Sequence, residues 1–147
     1  MRSLGSTNDS KDMRYTNNLL ITVVLNVLAP ATTTLAGTTI AHDEFIENRE
    51  SLFGNWSIKQ ADGKNYIVLA DDFKDRKGPY FKIFLSPQSI DSVNGKTAVI
   101  GSVIIANLKE IKGGQLYQIP GELDISQYNR LLIHCEKYPV LRGGGML

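Results

Sequence analysis

At 147 residues the chain has room for one domain, and its formal net charge of +1 shows no excess of either sign. From Gly37 onward thirteen basic side chains are matched by thirteen acidic ones, so nucleic acid is not an expected partner, because that affinity rests on clustered Lys and Arg. A single cysteine excludes an internal disulfide and the zinc sites built from several thiolates.

Residues 1–12 are polar, and Met13-Arg14-Tyr15 gives a short basic lead. An apolar run follows over 19–29. Pro30 breaks it, and Thr34 and Ala36 stand three and one before a cut ahead of Gly37. That order is that of a secretory signal segment over residues 1–36, with the cleaner pattern starting at Met13. The run is shorter than the ~20 apolar residues of a spanning helix. A secreted or periplasmic location is therefore expected, with membrane attachment only through an uncleaved N-terminal segment. No cysteine directly follows the run, which argues against a lipoprotein cut. Residues 37–50 read as a polar lead-in with one helical turn around Asp43-Glu44-Phe45, and residues 51–147 as the folded domain.

Within that domain, residues 51–58 alternate as a strand, with Leu52, Trp56 and Ile58 on one face. Asp62-Gly63 is a hairpin turn, because this pair tolerates positive φ, and residues 65–69 form the return strand. Asp71, Asp72 and Asp75 lack the ligand spacing of a calcium loop and read as a solvated turn before Gly78-Pro79. Residues 80–85 are aromatic and β-branched, hence a strand, ended by Ser86-Pro87. After a loop with Asn94-Gly95 near its tip, residues 97–100 and 103–105 read as extended runs on either side of a bend at Gly101-Ser102. Residues 115–119 alternate, placing Tyr117 and Ile119 on one face. Asp124 can cap a single helical turn reaching Tyr128. Residues 131–135 form the next strand, then Tyr138-Pro139-Val140-Leu141 lead to an end at Gly143-Gly144-Gly145. Turn signals every 8–15 residues, without a long helical period, point to an all-β fold. The expected architecture is an antiparallel sandwich or barrel-like domain of about 8 strands.

The one cysteine, Cys135, closes the strand 131–135. Its sulfur is the chain's best candidate for a reactive atom, and Pro139 just beyond suggests a sheet edge where it is reachable. Lys137, Arg142 and His134 are the sequence neighbours that would favour a thiolate. The alternative is a structural thiol, since free cysteine packs like a small hydrophobe. His134 and Cys135 resemble a metal pair, but neighbours on a strand point to opposite faces, so no metal is expected. Haem ligation through the thiolate is chemically open, although covalent attachment is not, because Cys-x-x-Cys-His is absent. No nucleophile elbow or phosphate loop is present.

Three blocks together carry a resemblance: Gly78-Pro79-Tyr80-Phe81-Lys82-Ile83-Phe84-Leu85-Ser86-Pro87, then residues 108–120 (LKEIKGGQLYQIP), then residues 125–135 (ISQYNRLLIHC). In this order they resemble the electron-transfer DM-thirteen domain, the module that accompanies DOMON domains in Skeletor-type proteins and also occurs alone in bacterial exported proteins. The resemblance runs from about Leu52 to Met146. It implies a β-rich extracytoplasmic domain whose late single cysteine takes part in redox chemistry, as a free thiol or by ligating a haem-like group. That cysteine corresponds to Cys135, with His134, Lys137 and Tyr138 placed in sequence to tune or shield it. No cytochrome or DOMON unit shares this sequence, so the implied electron partner is a separate extracytoplasmic redox or cell-surface protein. The other reading is a non-catalytic interaction or ligand-binding module with a structural cysteine.

Overall fold

A computed structural model describes residues 35–47, 52–89 and 94–147; the apolar run at 19–29 and the remainder of 1–34 lie outside them. Nine strands follow in chain order: β1 Thr38–Glu44, β2 Ile46–Glu47, β3 Asn55–Ala61, β4 Lys64–Leu69, β5 Phe81–Ser86, β6 Val103–Asn107, β7 Gln115–Gln118, β8 Arg130–Cys135 and β9 Val140–Met146. They form a four-stranded sheet, β1-β3-β4-β7, and a five-stranded sheet, β2-β9-β8-β5-β6. Every pairing is antiparallel.

The pleat explains how the sheets stack. Trp56, Ile58, Ile67, Leu69 and Tyr117 come from the first sheet, and Phe81, Ile83, Leu85, Leu131, Ile133 and Cys135 from the second. All are buried in one cluster. Every second residue of each strand therefore points at the facing sheet, which is the arrangement of a β-sandwich. The β3–β4 hairpin turns at Asp62 and Gly63 with φ of 51° and 70°, the two left-handed positions that Asp-Gly supplies. Asp124 accepts a hydrogen bond from the Ser126 amide and caps a 3-10 turn over Ile125–Gln127.

Three stretches depart from the sequence reading. Thr38–Glu44 is a strand, not a lead-in with a helical turn; it pairs with β3 along the sheet edge. An edge strand with a wet face needs little apolar alternation, and only the β-branched run Thr38-Thr39-Ile40 marks it. Residues 97–100 are turns. The Asn94 side chain accepts from the Lys96 and Thr97 amides at 2.8 and 3.2 Å, and the Ala98 amide bonds Asn94 O at 2.9 Å. Local Asn chemistry outcompetes the apolar pattern there. The segment then packs Ala98 against Phe84, Leu132 and Leu141 on the outer face of the five-stranded sheet. Finally, Gly143, Gly144 and Gly145 lie inside β9. Gly145 is there because a Cβ would overlap the Trp56 indole; the missing side chain is space for the chain's one tryptophan.

Tyr117 pins the segment 107–111 to the core. Its hydroxyl accepts from the Lys109 amide at 2.9 Å and donates to Gln115 Oε1. Burial pushes the phenol above its ordinary 10.0; the Glu110 charge acts in the same direction and the Lys109 amide opposes. The unfolded phenol thus loses its proton before the folded one. The stability this supplies is complete below about pH 10 and is lost as pH rises beyond it. Tyr117→Phe is expected to flatten the alkaline fall of the urea midpoint between about pH 9 and about pH 11. An unchanged fall in the variant would assign it to other groups.

Candidate functional site

Cys135 ends β8, which lies between β5 and β9 in the middle of the five-stranded sheet rather than at its edge. Its register partners are Phe81 and Val140. The sulfur faces the sandwich core and the residue is 2% exposed, so the expectation of an edge-exposed thiol is corrected: Pro139 lies in the turn between β8 and β9 and does not terminate the sheet. The sulfur is nevertheless not sealed among aliphatic groups alone. Sγ donates to the carbonyl oxygen of Pro79 at 3.2 Å. That carbonyl belongs to the Pro79–Tyr80 peptide, and Gly78, Pro79 and Tyr80 are all exposed. The sulfur is thus bonded to a peptide whose two residues are both exposed.

This covering arm is locally unusual. Tyr80 has φ of 61°, a left-handed conformation that is an outlier for a bulky residue and stores strain. Gly78 lies against the end of the Phe81 ring, where a Cβ would be within 2.9 Å of Cε2. The Lys137 ammonium stands 4.8 Å from the Tyr80 ring centre and 5.4 Å from that of Tyr138. The tyrosines are 63% and 52% exposed. Lys137 thus stands between the Tyr80 ring of the arm and the Tyr138 ring.

His134 goes elsewhere. The pleat turns it to the outer face, edge-on to Phe84 with ring centres 5.8 Å apart. Its Nε2 is 2.7 Å from Gly95 O, and Nδ1 is buried without a hydrogen-bond partner among the described residues. The imidazole holds the 94–102 segment down on the sheet and does not share a face with the sulfur. The two side chains therefore cannot converge on one ion.

Arg142 is the extra residue in β9, where the register with β8 slips between Ile133 and His134. A bulge of this kind re-aims a side chain. Here the guanidinium turns inward, lies 5.1 Å from the Phe81 ring centre and forms an ion pair with Asp75. Asp75 and Arg142 are 4% and 5% exposed. The reading of 71–75 as a solvated turn is thus correct for Asp71 and Asp72, which are exposed, and wrong for Asp75. Sequence reasoning also missed Pro79, Tyr80 and Phe81 as the cysteine's neighbours. Gly78-Pro79 marked the turn, but nothing in the residue types announced that it would fold over a sulfur.

A haem-like group does not fit these residues. Sγ is occupied by its bond to Pro79 O, and Phe81, Ile133 and Leu131 share its face within the packed cluster. A ligated iron needs an open face at the sulfur, and this one is filled by side chains and the arm.

No curated protein and no solved structure matches the chain. A family model does: Electron transfer DM13 matches residues 44–143, from the end of β1 into β9 and including Cys135, and the chain belongs to that family.

Proposed function

We propose that this domain works outside the cytoplasm and exchanges electrons through the sulfur of Cys135. Family membership gives it a general electron-transfer role. The observation that supports the cysteine as the working atom is its cover: Sγ bonds a carbonyl of an exposed, strained arm at 3.2 Å. Strain is retained where the surrounding structure enforces it, and such positions cluster at clamps and switches. Lifting the Pro79–Tyr80 peptide bares the thiol without disturbing the sandwich. The exposed sulfur then attacks as its thiolate, forming a mixed disulfide with an oxidised partner and releasing that partner's second sulfur as thiolate. In that step the Cys135 sulfur is oxidised and one partner sulfur is reduced. The partner is a separate extracytoplasmic redox protein carrying a disulfide. Lys137 and Tyr138 shield the arm, and His134 secures the opposite face.

A second reading has its own observation. Cys135 is 2% exposed and belongs to the core cluster, as a structural thiol in an interaction module does.

Labelling of the folded, reduced protein with a small aromatic disulfide reagent separates the two. One equivalent of thiol is expected to react under native conditions, more slowly than free cysteine, with no reaction in Cys135→Ala. A thiol that reacts only when the fold has been unfolded with guanidinium assigns Cys135 to packing and removes the redox role.

A further inference from the structure

Beside the covering arm lies a groove of about 380 Å³, between the start of β5 and the segment 107–111. Its base is apolar: Phe81 is buried, Leu108 packs against the core cluster, and Ile111 is half-buried. The exposed Tyr80 ring forms one wall. Hydrogen-bond donors line the lip at Lys82, Asn107 and Lys109. Lys82 is tethered by Glu136, and the Lys109 ammonium by the Leu116 carbonyl at 2.8 Å. An ammonium has three donors, so each tethered head keeps others for a ligand.

Small-molecule sites are clefts of ~300–1,000 Å³ that combine apolar surface with placed polar groups, and polar and apolar side chains share this lining. The volume here stands at the small end of that range, which suits one or two rings. Tyr80 and Phe81 offer aromatic surface, against which a flat ring stacks or meets edge-on. Donors at the lip call for acceptor oxygens on the ligand's edges. The acid on the lip, Glu110, is balanced by the two lysines, so the cleft does not select a cation.

We infer that this groove binds a quinone-type molecule, a planar uncharged ring with carbonyl oxygens on opposite edges. The inference rests on the electron-transfer reading, and it names the small electron carrier that the same end of the sandwich takes. Two features couple the groove to the sulfur. Phe81 at its base is the register partner of Cys135, and Tyr80 in its wall belongs to the peptide that covers Sγ.

Tetramethyl-1,4-benzoquinone is the probe, because its fully substituted ring leaves no position for thiol addition. Titrated into the ¹⁵N-labelled domain, it is expected to shift the amides of Tyr80, Phe81, Leu108, Lys109 and Ile111 as one cluster. Tyr80→Asn removes the ring with a residue that tolerates the left-handed backbone, and it should weaken binding by about tenfold. Ile111→Glu places a charge on the base and should do the same. Scattered shifts, or shifts centred on the groove at Thr39, His42, Trp56 and Lys59 on the other sheet, overturn the assignment. So does an affinity that neither groove substitution changes. Where one variant loses amide dispersion, the other carries the test. Clustered shifts in a protein whose native thiol is inert keep the groove and remove the cysteine's role; a reactive thiol without clustered shifts does the reverse.

Discussion

Asp75→Ala is expected to destabilise the domain by about 3–5 kcal/mol, the cost of removing one partner from a buried ion pair. The Asp75 side chain is fully buried. It accepts from Arg142 Nε at 3.0 and 3.3 Å, and from the Arg76 amide at 2.7 Å. Taking it away leaves the Arg142 guanidinium inside the sandwich short of its carboxylate, and a buried charge is costly unless paired. The pair is also a tie. Asp75 lies on the connection between β4 and β5, which is pinned by the bridges Phe53↔Lys74 and Lys74↔Lys112 and by the Asp75 amide to Ile111 O at 2.7 Å. Arg142 belongs to β9. The ion pair thus fastens this connection, and the root of the covering arm, to the sheet that carries Cys135. Urea denaturation reads the effect as a fall in midpoint at unchanged slope. The double variant Asp75→Leu, Arg142→Met should regain most of the loss, because apolar replacement of a whole buried pair is often neutral or better. A loss below about 1 kcal/mol in Asp75→Ala, the range of exposed pairs, would show that water screens these groups and that the tie is not there.

The sandwich was legible because its elements carry local marks. Asp62-Gly63 announces its own hairpin, and Asp124 its 3-10 turn; the alternation in 115–119 puts Tyr117 and Ile119 inside, where both are buried. The opposite faces of His134 and Cys135 also follow from the pleat alone. What stayed hidden depends on partners distant in sequence. The Gly143-Gly144-Gly145 run looks like an ending until Trp56 is placed over it. Asp75 looks like part of a wet acidic cluster until the bulge in β9 turns Arg142 inward. Cys135 stands out by its rarity, but its environment is not legible from its sequence neighbours. Pro139 suggested an edge, whereas the neighbours that bury the sulfur, Pro79 and Phe81, stand more than fifty positions earlier in the chain. Pattern reading reports which face a side chain takes; it does not report which loop closes over that face.

Gly78→Val should raise the native labelling rate of the Cys135 thiol by about tenfold to a hundredfold, because it crowds the closed arm and leaves the open arm unaffected. A Cβ at residue 78 would be 2.9 Å from Phe81 Cε2 and 3.2 Å from Cε1, too close for a ring that is itself held by the core and by Arg142. Overpacking of this kind costs ~1–3 kcal/mol, and each 1.4 kcal/mol is about a factor of ten in an equilibrium. Since Gly78, Pro79 and Tyr80 are exposed, the cost falls on the seating of the arm and not on the sandwich. Labelling through a local opening depends weakly on urea, whereas labelling through global unfolding follows the full denaturation slope. The expected result is therefore a faster rate with a shallow urea dependence in both wild type and variant. A rate that rises only as far as overall stability falls, with the steep dependence of global unfolding, would mean that the arm is no door and that the sulfur is reached only when the whole domain comes apart.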